Sequence, residues 1–220
     1  MGTGSTHSGK QRTISVGILS APRVEFCFGR DYVATEQDGR VVIDGEAREE
    51  WYFRAGEQAF FTLKNVQIGK GFHWERYQDQ SFPGDLKLIA RDGCVIAINV
   101  VGIEDYLQCV IASEMSPTAG FEFLKAHAVI SRSWLLAQLD KRDEVREGYS
   151  SVVCDTPEEL VRWQDREDHE WFDFCADDHC QRYQGIPQVV TPGETPSVTP
   201  SEVEGSRPIP ILFIGLNKIN

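Results

Sequence analysis

The hydrophobic rhythm of this chain changes near Ile103, and that change limits what it can fold into. From about Gln11 to Val101, apolar residues alternate with polar or small ones, as in Ile14, Val16 and Ile18 and again in Val24, Phe26 and Phe28. A period of two puts one face of a strand against a core. Asp38-Gly39 precedes Val41-Val42-Ile43, and Asp92-Gly93 joins Leu86–Ala90 to Cys94–Ile98. Asp-Gly is a favoured type I′ hairpin pair because both central residues need positive φ. Trp51, Phe53, Phe60, Phe61, Phe72 and Trp74 supply aromatic bulk. They read as the core of a small sheet or barrel, or as a platform on which sugars stack.

Near Ile103 the period becomes helical. Ile103, Tyr106-Leu107 and Val110-Ile111 share a face, and Glu104-Asp105 place negative charge in the first turn, where it suits the helix dipole. This helix should end near Glu114-Met115. Ser116-Pro117 then reads as an N-cap followed by proline at the first helical position. A second, longer helix should run from there to about Lys141. Its apolar residues occupy nearly all its faces, which predicts a central, well-buried helix interrupted by Lys125, His127 and Arg132. The expected fold class is therefore α+β. A flexible leader spans 1–12, a β-rich region 13–100 and a helix-centred region 101–186. Residues 187–220 read as a disordered tail, rich in Pro, Thr, Ser and Glu without periodicity.

Bulk properties exclude some functions. The 220 residues carry a formal net charge of −12, against the basic face that non-specific nucleic-acid binding needs. The same charge opposes docking on anionic lipid. No apolar stretch approaches the roughly 20 residues of a membrane span, and the polar N-terminus lacks the apolar core of a secretory signal.

One run concentrates metal-ligand chemistry. His169, Cys175, His179 and Cys180 hold two of the five histidines and two of the six cysteines. Tetrahedral zinc takes its ligands from Cys and His, and a Cys₂His₂ set closes the shell, which points to a structural clasp. A Cys175–Cys180 disulfide and a pair of free thiols are the competing readings. A catalytic zinc would need an open position and an adjacent base. Cys27, Cys94, Cys109 and Cys154 sit among apolar or strand-like neighbours and read as reduced, buried thiols.

On the second helix, Lys125 and Arg132 lie two turns apart and share a face. Arg132 suits bidentate capture of a substrate carboxylate, or equally an ion pair with Glu104, Asp105 or Glu122. His127 reads as a satisfied core histidine. Taken alone, Glu114 reads as a solvated residue at a helix terminus.

Three segments in order change that reading. Ile98-Asn-Val-Val-Gly-Ile-Glu-Asp-Tyr-Leu107 looks like "INxVxLEDYL". Ser113-Glu114-Met115, with Leu124-Lys-Ala-His-Ala-Val129 and Ser131-Arg132, is similar to "SEM…LKAxAVxAR". Cys180-Gln181-Arg182-Tyr183-Gln184-Gly185 resembles "CQxYxG". Together they resemble the SpoIID/LytB family, named for stage II sporulation protein D and an amidase enhancer, over roughly Gly71 to Gly185.

The resemblance implies a lytic transglycosylase that cuts the MurNAc–GlcNAc bond of peptidoglycan and leaves a 1,6-anhydro sugar. The family's acid maps onto Glu114. A glycosidic bond breaks through an oxocarbenium-like state and needs a proton on its leaving oxygen. A carboxyl at a helix C-terminus against apolar neighbours, here Ile111 and Met115, keeps its proton more readily. The motif positions place Gln181 and Tyr183 at a glycan cleft, with plain packing as the other reading. Some family members are reported to carry a Cys₂His₂ zinc at this run. Implied partners are glycan strands and a cell-wall amidase, and the implied location is the cell envelope. A non-catalytic glycan-binding or amidase-modifier protein is the rival, with an inactive truncated relic a third. Family domains continue past "CQxYxG", whereas this chain passes at once to Pro187 and its tail, so part of the cleft wall is expected to be missing.

Overall fold

Three tight turns organise the first half of the chain. Asp38-Gly39, Asp44-Gly45 and Asp92-Gly93 all have positive φ at both residues, between 51° and 80°. The first and last are the two hairpins expected from the sequence; Asp44-Gly45 adds a third. The structure, a computed structural model, describes residues 12–55, 60–69, 71, 73, 75–116, 119–146, 154–155, 160–161, 169–177 and 179–187, with backbone alone at 141–146, 154–155 and 160–161. The chain divides into two units, Met1–Pro187 and Gln188–Asn220, and every described residue lies in the first. The expected leader (Arg12 apart) and the expected tail beyond Pro187 lie outside the described residues.

Among the described residues, ten strands precede the first helix: β1 (Thr13–Ala21), β2 (Arg23–Phe28), β3 (Arg30–Gln37), β4 (Arg40–Ile43), β5 (Glu46–Arg48), β6 (Glu50–Phe53), β7 (Phe60–Ile68), β8 (Arg76–Pro83), β9 (Asp85–Arg91) and β10 (Cys94–Gly102). Then come α1 (Ile103–Glu114), α2 (Phe121–Arg146), and three two-residue strands, β11 (Cys154–Asp155), β12 (Leu160–Val161) and β13 (Phe174–Cys175). One sheet runs β13-β1-β10-β9-β6, another β5-β4-β3-β2-β7-β8, and β11 pairs with β12. The inward residues of both large sheets join one core. Ile14, Val16, Leu86, Leu88 and Val101 come from the first, and Val24, Phe26, Phe61, Leu63 and Phe82 from the second. Phe61 is buried, Trp51 and Phe53 pack on the core, and Phe60 is exposed; Phe72 and Trp74 lie outside the described residues.

The fold is α+β, but strand-rich and not helix-centred. α1 matches its expected span, and Ile103, Tyr106, Leu107, Cys109 and Val110 bury one face in the common core. The second helix differs. It begins at Phe121 and not at Ser116-Pro117: the Leu124 N–H donates to the Gly120 carbonyl at 3.1 Å, which makes Gly120 the residue before the first turn. Only Ser131, Leu135 and Leu139 are buried among its described side chains, while Val129 and Ile130 are 63% and 69% exposed. The physical reason is that the sheets already close the core, so α2 touches it along one stripe, two turns long.

β13 joins the late His/Cys run to the main sheet, parallel to β1, with Val16 opposite Phe174 and Gly17 opposite Cys175. Asp173 and Ser15 lock this edge, with each N–H bonded to the other's side chain at 3.0 and 2.9 Å. Gly17 is required there: a Cβ on it would lie 2.4 Å from the Phe172 ring.

Candidate active site and metal centre

Glu114 is the last residue of α1, with its side chain 26% exposed. The chain turns extended at Met115, so the carboxylate stands at the helix end and faces both α2 and the segment 181–184. Its Oε2 lies 2.9 Å from the His127 Nε2, and its Oε1 accepts the Arg182 backbone N–H at 3.1 Å. The His127 side chain is only 12% exposed. Its other ring nitrogen, Nδ1, lies 3.1 Å from the Ser131 hydroxyl, one helical turn along.

Ser113 works beside Glu114. Its hydroxyl donates back to the Cys109 carbonyl at 2.6 Å and accepts the Gln184 N–H at 3.0 Å. The N–H groups of residues 182 and 184 therefore bind the end of α1, whereas that of Tyr183 bonds to the Ala176 carbonyl at 3.1 Å. This alternation is that of an extended strand. It stitches the Ser-Glu-Met and Cys-Gln-x-Tyr segments directly together.

The structure puts Gln181 and Tyr183 inside the protein. Tyr183 is 1% exposed, packs its ring at a tilt against Tyr106 and Phe82, and donates from its hydroxyl to the Asn99 Oδ1 at 2.7 Å. Burial holds its phenol well above the ordinary value, with Cys109 a smaller cause. Gln181 donates from Nε2 to the Ser131 carbonyl at 3.3 Å. Lys125 and Arg132 stand on the outer side of α2 and are already paired. Lys125 meets Glu122 at 2.7 Å, and the two terminal guanidinium nitrogens of Arg132 bind Glu104, one of them at 2.6 Å. Both ends of that second pair are half exposed, so it is screened by solvent. Glu114 is thus brought to Gln181 and Tyr183 by the backbone between them, while Lys125 and Arg132 make separate pairs.

His127 is the site residue that sequence reasoning missed. The motif leaves position 127 open, and the contact crosses from one helix to the other. The helical period places His127 and Ser131 on one face, but nothing in the sequence states that this face meets the end of α1.

The four residues of the His/Cys run converge. One ligand atom from each of His169, Cys175, His179 and Cys180 lies within 4.8 Å of all the others. The Cys180 Sγ is 3.5 Å from the His169 Nε2 and 3.6 Å from the His179 Nδ1, and the Cys175 Sγ is 3.9 Å from the same Nδ1. Tetrahedral zinc with bonds of about 2.3 Å to sulfur and about 2.0 Å to nitrogen spaces its S and N ligands by about 3.5 Å. The cluster fits a metal ion of that kind. Cys175 and Cys180 are free thiols, as are Cys27, Cys94 and Cys109; the Cys154 side chain lies outside the described residues. The hydrogen bond from Cys180, then the Asp177 backbone and the two histidines, pull the Cys175 thiol down to about 5 against burial. A thiolate is the metal-binding form.

Among the described residues, no helix is long and apolar enough to cross a membrane. A family model described as SpoIID, stage II sporulation protein, matches residues 91–205. That span begins within β9, takes in both helices and the His/Cys cluster, and continues 20 residues beyond Gly185, where the motif-based resemblance ended. No curated protein and no solved structure matches the chain.

Proposed function

This chain belongs to the SpoIID family of stage II sporulation proteins, whose membership points to a cell-wall-related role, and from that premise we propose that it is a peptidoglycan lytic transglycosylase with Glu114 as its acid and then its base. The observation that supports this most is the placement of Glu114, a part-exposed carboxyl at a helix end, fixed by the backbone of the neighbouring motif. In the first step the Glu114 carboxyl gives its proton to the oxygen that links MurNAc to GlcNAc, and the C1–O bond breaks. In the second, the resulting carboxylate takes the proton of the MurNAc C6 hydroxyl, whose oxygen closes on C1. No water is consumed, and Glu114 ends as it began. One carboxyl serves both steps, so a second acidic nucleophile is not required.

In this reading His169, Cys175, His179 and Cys180 hold a structural zinc. The ion would cross-link the loop that begins at His169 to the segment that ends at Gly185, and it takes no part in the chemistry. Its effect on the acid is indirect, since Cys180 lies two residues from the N–H that holds Glu114. Gln181 and Tyr183 support the cleft floor from inside. Lys125 and Arg132 reach glycan only by leaving Glu122 and Glu104. The partners would be glycan strands, with a cell-wall amidase acting alongside, at the cell envelope.

One observation favours the rival, a glycan-binding or amidase-modifier protein without catalysis. Both Glu114 oxygens are engaged within the protein, as they would be if the residue only tied α1 to the closing segment. Digestion of purified glycan strands separates the two. The wild type should release anhydro-muropeptides detectable by mass spectrometry, and Glu114→Gln should lower the rate by about 10²- to 10⁴-fold, the usual size of a general acid–base contribution. Retention of glycan by a wild type that releases none would favour the binding protein.

A further inference from the structure

We propose that Glu114 does not act as a lone carboxyl but shares one proton with His127, which Ser131 orients, so that His127 is the positioning residue of the acid. The proposal rests on the reading of Glu114 as acid and base, and it adds a partner which that reading does not require.

The hydrogen-bond inventory carries it. A backbone N–H can only donate, so the Glu114 Oε1 that faces the Arg182 N–H at 3.1 Å is committed as an acceptor. A carboxyl proton therefore belongs on Oε2, which lies 2.9 Å from the imidazole Nε2. On the far side of the ring, the Ser131 hydroxyl can donate to Nδ1 or accept from it. Ser131 is 3% exposed, so it is shielded from competition by water. Either tautomer of His127 is then satisfied, and a proton can sit on Oε2 or on Nε2 without stranding a buried group.

Ser131, His127 and Glu114 have the order of a hydrolase triad, but the serine is buried and fixed to the histidine of its own helix. A substrate carbonyl has no approach to it. The chemistry runs the other way, from the imidazole toward the part-exposed carboxylate. As the glycosidic bond breaks, the proton shared between Oε2 and Nε2 passes through the carboxyl to the leaving oxygen. It is replaced from the C6 hydroxyl when the anhydro ring closes, so the pair is unchanged after each turnover.

Among the described residues, α1 carries Glu104, Asp105 and Glu114, of which Glu114 contacts His127, and Arg182 in the closing segment reaches Glu114 through its backbone. On α2 itself, Lys125 pairs with Glu122 and Arg132 with Glu104.

The test uses the full chain, purified glycan strands and the variants His127→Gln and Glu114→Gln. Glutamine keeps an amide donor near the Nε2 position but cannot take up a proton. His127→Gln should leave KM near its wild-type value, lower kcat about 10-fold or more and change the shape of the pH–rate profile. A profile that superimposes on the wild type, with wild-type kcat, overturns the proposal and leaves the transglycosylase reading intact. A second arm needs no activity: the imidazole ¹⁵N shifts of His127 at neutral pH. Glu114→Gln should change the Nε2 shift markedly, and unchanged shifts would overturn the pair even if His127→Gln fails to fold. A wild type that makes no anhydro ends at any pH removes the transglycosylase reading, and the positioning role of His127 with it.

Discussion

At the scale of single residues, the most telling contact joins positions 84 apart in sequence. The Tyr183 hydroxyl bonds to Asn99, whose amide in turn donates to the carbonyls of Pro83 and Asp85 at 2.8 and 3.1 Å. Asn99 is a fully buried polar residue in an apolar strand, and all of its side-chain bonds serve the β8–β9 turn or Tyr183. Asn99→Ala should strand the Tyr183 hydroxyl and cost about 1–3 kcal/mol, read as a lower midpoint in chemical denaturation. Adding Tyr183→Phe should cost less than the sum of the two single changes, because the stranded hydroxyl is then gone. The sequence placed both residues in motifs and could not show that they touch. Glu114 could be found only through its motif, since its residue type at a helix end is common. The Arg132–Glu104 pair was one of the partners that charge and spacing had offered. His127 was hidden because its role depends on a helix crossing, and periodicity within one helix does not specify a crossing.

Among the elements, strands were the most legible. Alternation and Asp-Gly turns gave the β region from Thr13 to Gly102 and both expected hairpins. α1 was equally plain, because its apolar face is narrow. α2 was not, because apolar residues all round a helix indicate burial only where a core remains to receive them. Here the two sheets use most of it. β13 could not be foreseen: a two-residue strand has no period, and its pairing depends on a glycine. Gly17→Ala should force the Phe172 ring, 2.4 Å from the new Cβ, out of place. Overpacking of this kind costs about 1–3 kcal/mol. Thermal unfolding should register the loss. Hydrogen exchange should quicken at the Asp173 and Ala176 amides, which bond to Ser15 and Gly17 across this edge. Unchanged exchange at those two amides would show that β13 does not hold the His/Cys run to the sheet.

Across the molecule, two sets of links leave the His/Cys cluster, and one of them reaches Glu114. One runs from the His/Cys cluster through β13 to β1, and the other from Cys180 through residues 182 and 184 to the end of α1. Metal removal should therefore act at a distance. Chelation, or Cys180→Ser, should lower the melting temperature and reduce turnover together, and zinc should restore both in the chelated wild type. Full activity in metal-free protein would remove the structural role proposed for the ion. In the proposed reaction, bond cleavage proceeds on Glu114 without water. The most direct measurement is digestion of glycan strands in H₂¹⁸O, with the new ends weighed by mass spectrometry. The account predicts 1,6-anhydro ends free of ¹⁸O from the wild type, and almost none from Glu114→Gln. Reducing ends that carry ¹⁸O, or equal yields from the two proteins, would contradict it.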